Sequence, residues 1–398
     1  MKKYVASSIL LILILAFTTP MTGNAVESKD SENGTSNELN LASDTKSAIL
    51  MEKDTGTILY ENNSHEQLPP ASVTKLMTLL LVMEAIDNKQ MNLDEKVRIS
   101  ENASSMGGSQ IFLEAGEEMS VEDLLKGVAI ASGNDASVAL AERVAGTEEA
   151  FVKKMNDRAE ELGLKDTHFQ NSTGLPADNH YSSSYDLAVI ARELLAYESI
   201  TDYTSIYEDY LRKGEDNEFW LVNTNKLVRF YDGVDGLKTG FTNKAKYSLA
   251  ATAEKNGMRV ISVVMGAETS KKRNSITSGM LDYAFQHFQT KNLFEKDEHI
   301  TTLELLKANE PKVEVVTSHP VSVLHKTGET TENISTSVKM DEQIEAPIDK
   351  GEQVGTLIVK KGNETLTKTP LVVKEDVHKA TVYTLWKRNI KHIIKNNH

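Results

Sequence analysis

The chain contains no cysteine, which excludes disulfide scaffolds, thiolate metal sites and cysteine nucleophiles. It has no excess of positive charge. Its 44 Lys and Arg stand against 58 Asp and Glu, a formal net charge of −14, so its surface repels phosphate backbones and nucleic acid is not an expected partner. The unbroken apolar run near the N-terminus extends only from Ile9 to Phe17, well short of the roughly 20 residues that span a bilayer. His-Glu-x-x-His and glycine-rich phosphate loops are also absent, and no metal or cofactor is expected. Hydrophobic residues at 39% and charged residues at 26% are ordinary globular usage, so neither wholesale disorder nor a polytopic membrane protein fits. A length of 398 residues suits two domains plus appendages.

What is present begins with a cationic start at Lys2 and Lys3, the short apolar run, and the small-residue exit Gly23-Asn24-Ala25. Residues 1–25 therefore read as a secretory signal peptide rather than a membrane anchor, and the chain is expected to be exported. Residues 26–43 are polar and nearly free of apolar side chains, so they read as a flexible tether.

A folded catalytic domain is expected over residues 44–290. A hairpin turns at Asp54-Thr55-Gly56, between strand-like Ile49 and Met51 and the returning Ile58-Leu59-Tyr60. Leu76, Leu79, Leu80 and Met83 share one helical face, and Ser120-Val121-Glu122-Asp123 is a capping box opening another helix. Lys255-Asn256-Gly257 separates two further strands, and Ile276, Met280, Leu281, Ala284 and Phe288 have helical spacing. Strands at both ends with helices between predict an α+β domain whose sheet joins early and late segments. Over residues 291–375, short apolar runs such as Val313 to Val316 and Val354 to Val359 alternate with turn clusters, predicting a small all-β domain. Residues 376–398 end in a helix with Val382, Leu385, Trp386, Ile390, Ile393 and Ile394 on one face and Lys387, Arg388, Lys391 and Lys395 elsewhere. On an acidic protein, a basic amphipathic helix bearing an indole suits an anionic membrane surface; docking on the protein itself is the alternative.

The chemistry is suggested by Ser72-Val73-Thr74-Lys75, at the start of the Leu76 helix. A serine hydroxyl needs a base to become a good nucleophile, and residues at i and i+3 of a helix share a face, so Lys75 is within reach of Ser72. A lysine with an ordinary pKa of about 10.4 must be buried or placed near other positive charge to act as that base. Ser-x-x-Lys alone is weak, since Ser43-Asp44-Thr45-Lys46 also fits. Two later groups accompany the first: Ser132-Gly133-Asn134, and Lys238-Thr239-Gly240 ahead of the strand hairpin. These offer a second hydroxyl, an amide and a cation, with a glycine that permits close backbone approach. Ser100-Glu101-Asn102 and Lys326-Thr327-Gly328 repeat the spacings but are read as loop residues.

This ordered series resembles the three motifs of the penicillin-binding and serine β-lactamase superfamily. Within it, the flanks Pro69-Pro70-Ala71, Asp135-Ala136, Gly174-Leu175-Pro176, His180-Tyr181-Ser182 and Val234-Asp235-Gly236-Leu237 are similar to those of the low-molecular-mass D-alanyl-D-alanine carboxypeptidases. The resemblance implies a β-lactamase/transpeptidase-like catalytic domain, an antiparallel sheet with helices, whose substrate is a peptidoglycan stem peptide ending in D-Ala-D-Ala. It implies Ser72 as nucleophile, Lys75 as its base and Ser132 as proton relay. Asn134 would hold the substrate backbone, and the N–H groups of Ser72 and Phe241 the oxyanion. Lys238, Thr239, Gly240 and Arg273 would form the substrate-carboxylate end of the site. It further implies β-lactams as covalent inhibitors and a location on the outer face of a bacterial cytoplasmic membrane, held by the C-terminal helix. At Asn223-Thr224-Asn225 the sequence carries threonine where some relatives have arginine. A β-lactamase, or a catalytically silent wall-binding protein of the same fold, are the alternative readings.

Overall fold

The computed structural model describes residues 40–396; the expected signal peptide and most of the expected tether lie outside them. The tether's last residues are already packed. Ala42 is buried, its N–H donates to the Tyr60 hydroxyl and its carbonyl accepts from the Asn62 side chain.

Five strands form the main antiparallel sheet: β1 (Ser47–Glu52), β2 (Ile58–Asn62), β3 (Val234–Thr242), β4 (Lys246–Lys255) and β5 (Met258–Ala267). Their order is β2-β1-β5-β4-β3, so the first strand pairs with the last, from Ser47↔Met265 to Glu52↔Val260. Asn256 and Gly257, at φ +53° and +77°, make the β4–β5 hairpin turn, the backbone that Asn-Gly favours.

Both faces of this sheet are covered. Ile49, Met51, Ile261 and Val263 face a helical layer, while Ala48, Leu50, Val260 and Val264 join a second core with Met280, Leu281 and Ala284 of the helix Ser270–His287. All six residues of β1 are therefore buried, and its apolar residues fall on both faces.

The layer on the first face contains α1 (Lys75–Asp87), α2 (Val121–Ala129), α3 (Asn134–Ala145), α4 (Glu148–Glu161) and α5 (Ser184–Leu194); the helix on the other face is α6 (Ser270–His287). Ser120 caps α2 as expected: its hydroxyl accepts the Asp123 N–H at 3.1 Å, and lies 2.7 Å from the Asp123 carboxylate. The expectation for α1 was too modest. Every residue from Lys75 to Met83 is buried, because helices α3, α4 and α5 and the Ser72 turn surround it. A one-face pattern underestimates such a central helix.

Strand β6 (Phe288–Phe294) starts directly after α6, a few residues before the expected boundary at 291. Phe288 opens this strand instead of closing the helix, with its ring 5.9 Å from that of Tyr283. The all-β part continues through β7 (His299–Glu304), β8 (Lys312–Thr317), β9 (Val321–Lys326), β10 (Ile334–Met340), β11 (Gln353–Lys361) and β12 (Glu364–Val373). Strand β6 pairs with β9, and the other five form a sheet in the order β7-β8-β12-β11-β10. Val377 still belongs to this core, so packed β structure runs past residue 375. The helix α7 (Val382–Asn396) follows. Arg388 ties it down by donating to the carbonyls of Leu306 and Ala308 at 3.3 and 2.8 Å and to that of Asn309. Yet Val382 and Trp386 remain 85% and 59% exposed. Among the described residues, no helix is long and apolar enough to cross a membrane.

Candidate active site

Ser72 lies in a 3₁₀ turn, Ala71–Thr74, that continues into α1. The turn is threaded between two glycines. A Cβ on Gly174, which has φ +83°, would stand 1.8 Å from the Ala71 carbonyl oxygen, and one on Gly240 would stand 2.8 Å from the Pro70 oxygen. The missing side chains thus let the 174 segment and strand β3 press on either side of the backbone of the Ser72 turn. Ala71 itself is held at φ +49°, a left-handed conformation that costs a non-glycine residue roughly 1 kcal/mol.

Lys75, one turn on, is fully buried. Its Nζ lies 2.7 Å from Asn134 Oδ1, 2.7 Å from the Thr173 carbonyl oxygen and 3.3 Å from Ser72 Oγ. Burial, reinforced by the Lys238 charge and opposed by Asp135, holds its ammonium well below the ordinary lysine range. The Thr173 carbonyl is aimed by Asn171, whose Oδ1 accepts the N–H groups of Thr173 and Gly174 and the Thr173 hydroxyl.

Asn134 meets Lys75 at the start of α3, two residues after Ser132. Ser132 has φ +64°, and its buried hydroxyl has no hydrogen-bond partner among the described residues. Asn134 uses both ends of its amide, since Nδ2 donates to the Gly107 carbonyl at 2.6 Å. The next residue, Asp135, accepts the N–H groups of Ile111 and Leu113. Two adjacent side chains therefore fix the 107–113 loop beside the site. Arg212 holds the same loop from outside, donating to the carbonyls of Ile111 and Phe112 and to Glu117.

Strand β3 brings Lys238 and Thr239 to the opposite wall. Lys238 is buried, and burial together with the Arg273 charge brings its pKa down to about 7. Arg273, in the first turn of α6, is also buried and held at about 10 by that burial. The Thr239 hydroxyl lies 2.7 Å from that of Thr224. Phe241 is exposed, with its ring 4.4 Å from that of Tyr247.

Hydrogen bonds thus join Ser72, Lys75 and Asn134, charge interactions run from Lys75 to Lys238 and from Lys238 to Arg273, and Gly240 packs against the Ser72 turn; Thr239 and Phe241 share the strand of Lys238, and Ser132 precedes Asn134 by two residues. The look-alike triplets lie elsewhere. Ser100 caps a four-residue helix, and Thr327, after β9, donates its N–H to His287. Sequence reasoning missed the Thr173 carbonyl, Asn171 and the positioning role of Asp135. It also quoted His180 without a role. The His180 Nδ1 accepts the Gln170 N–H, so its Nε2–H donates to Thr74 at 2.8 Å. Burial and His168 lower its pKa to about 4, and this neutral ring braces the Ser72 turn through Thr74.

Residues 32–269 match the D-alanyl-D-alanine carboxypeptidase family, peptidase S11, and residues 288–379 match the penicillin-binding protein 5 C-terminal domain. The chain belongs to the peptidase S11 family. It is a serine-type D-alanyl-D-alanine carboxypeptidase, a penicillin-binding hydrolase of peptidoglycan metabolism. It is 50% identical over 390 residues to D-alanyl-D-alanine carboxypeptidase DacF of Bacillus subtilis, covering 98% of both chains. To DacC of Escherichia coli it is 34% identical, covering 85% of each. Among solved structures, penicillin-binding protein 5 of Haemophilus influenzae superposes with a TM-score of 0.65 at 30% identity, over 84% of this chain and 98% of that one. Penicillin-binding protein D2 of Listeria monocytogenes, solved in a cefotaxime-bound form, matches at 34% identity and a TM-score of 0.55, over 61% of this chain and 97% of that one. The S11 match ends just after β5, and the second begins where β6 does.

The glycine clearances give a direct test. Gly174→Ala forces a methyl against the Ala71 carbonyl in a left-handed backbone, so it should cost at least about 2 kcal/mol of stability and cut fluorescent-penicillin labelling. Gly163→Ala, also at positive φ but with nothing near its Cβ position, should lose less stability and keep labelling. Urea denaturation and a labelling time course measure both.

Proposed function

We propose that Ser72 attacks the carbonyl between the last two D-alanines of a stem peptide and that Lys75 takes its proton. The observation that supports this reading most directly is the environment of the Lys75 amine. A neutral amine has two N–H bonds and one lone pair. Asn134 Oδ1 and the Thr173 carbonyl can accept only, so they use the two N–H bonds and leave the lone pair for the Ser72 hydroxyl.

The reaction then runs in two halves. The Ser72 Oγ–carbon bond forms as its proton moves to Lys75, and the oxyanion develops between the N–H groups of Ser72 and Phe241. The carbon–nitrogen bond breaks, Ser132 relays a proton to the departing D-alanine nitrogen, and water later hydrolyses the acyl-enzyme. Asn134 holds the peptide backbone. Lys238, Thr239 and Arg273 receive the terminal carboxylate, with Gly240 letting the strand lie close to the Ser72 turn. A β-lactam follows the same first half and leaves its acyl group on Ser72. The exposed apolar face and basic residues of α7 support a peripheral site on an anionic membrane surface, and the signal-like residues 1–25 support export to its outer side.

Three outcomes are expected. A fluorescent penicillin should modify the protein at Ser72 in a peptide map, and S72A or K75A should lower D-alanine release at least about 10³-fold; label at another serine, or undiminished release, overturns the assignment. The kcat/KM profile should rise from acid pH as Lys75 loses its proton. It should then fall above about 7 as Lys238 loses the charge that attracts the carboxylate, and a flat alkaline limb in wild type would remove Lys238 from that role. Deleting residues 379–398 should shift the protein from vesicles of anionic lipid to solution in a sedimentation assay, whereas unchanged sedimentation would assign α7 to the β-domain alone.

A further inference from the structure

The β-domain meets the start of α7 at one tight turn. The Ala308 N–H donates to the Leu305 carbonyl at 3.0 Å, closing a β-turn with Leu306 and Lys307 at its centre. Such positions favour Gly, Pro, Asn and Asp. Here a leucine stands 78% exposed, beside a lysine whose side chain is equally open. Leu305 and Ala308, on either side of the pair, are buried in the β core, so Leu306 alone is left out of it. One exposed leucine is ordinary; this one is set apart by what its turn is fastened to.

The Lys307 carbonyl accepts the Ala380 N–H at 2.8 Å, and the Asn309 N–H donates to the His378 carbonyl at 2.7 Å. Ala308 and Lys379 are bridged as antiparallel neighbours, and Arg388 donates to the carbonyls of Leu306 and Ala308. These bonds engage one side of the helix, where Leu385 and Arg388 are half-buried. Val382, Tyr383, Trp386 and Ile390 remain exposed. Docking on the protein and an outward apolar surface thus occur together, on two sides of α7.

The charges beside these apolar groups point to their partner. Residues 377–398 contain Lys379, Lys387, Arg388, Lys391 and Lys395 but no Asp or Glu, in a chain of net charge −14. Lys307 meets a single carboxylate, Glu345 at 3.2 Å, in an exposed pair that holds it weakly. Aliphatic and aromatic side chains bordered by cations match the boundary of an anionic bilayer, which receives both at once.

We propose that the β-domain itself touches an anionic lipid surface through Leu306 and Lys307, and that this turn and the outward side of α7 form one rigid contact. The proposal rests on the membrane reading of α7 above and adds the β-domain to it. The cleft is then held at a fixed height and tilt instead of swinging from a free helix.

The chain has no cysteine, so Leu306→Cys in the full chain takes a single bimane label. On vesicles of equal parts phosphatidylglycerol and phosphatidylcholine, its emission should shift to the blue and be quenched by nitroxide lipid. The same label at Lys153→Cys, on the catalytic domain, should report water throughout. Without any label, Leu306→Ser should weaken vesicle partition about 10-fold, as withdrawing one leucine from an apolar phase implies. Lys307→Gln should weaken it about 5-fold. Both variants should release D-alanine from a soluble peptide at the wild-type rate. A label at position 306 that stays in water while the protein sediments with vesicles, or a Leu306→Ser variant that partitions like wild type, would overturn the β-domain contact and leave α7 as the sole anchor. Wild type that does not sediment with anionic vesicles would overturn the membrane reading of α7 together with it.

Discussion

The site depends on one amine being kept out of water. In the proposed role of base, Lys75 can serve Ser72 only without its extra proton, and its surroundings disfavour that proton in two ways: no solvent reaches Nζ, and the Lys238 cation lies close by. The two acceptors at 2.7 Å then decide where the lone pair points. Burial sets the charge state and hydrogen bonding sets the aim, so both must hold at once.

Much of the surrounding architecture serves that condition. The helix carrying Lys75 is enclosed by α3, α4 and α5, which removes water from its whole first half. Asn134 spans from the amine to the 107–113 loop, and Asp135 secures the same loop through two backbone N–H groups. A shift in that loop is therefore felt at Nζ through a single side chain. On the other side, Gly174 and Gly240 allow two segments to touch the Ser72 turn, and the neutral His180 braces it through Thr74. Lys238 has a double part, since the charge that would attract a carboxylate also lowers the Lys75 pKa.

The three motifs were legible because their side chains carry distinctive chemistry at fixed spacing; the first two also lie at helix starts, where turn and cap residues leave a mark, while Lys238-Thr239-Gly240 runs inside β3. Ser120 and Asn256-Gly257 were readable for the same reason. The Thr173 carbonyl was not, because a main-chain oxygen is the same in every residue and only the fold aims it. The sign of the Lys75 environment could be argued from need but not located, since the groups enclosing it come from distant parts of the sequence. In the β part, β10 escaped notice because its residues are mostly exposed and polar, so no apolar alternation marks Ile334–Met340. The full enclosure of α1 was hidden by the habit of reading a helix as having only one apolar side.

The pairing of β1 with β5 carries a consequence for the order of events during synthesis. The sheet cannot close until the chain through Ala267 is available, and such distant pairing folds slowly. Before the fold brings Asn134, Thr173 and Lys238 around Lys75, an exposed ammonium there keeps its proton and Ser72 is an ordinary alcohol. If Ser72 and Lys75 act as proposed, a nascent chain still short of Ala267 is chemically inert. On that reading, reactivity comes only with completion of the sheet.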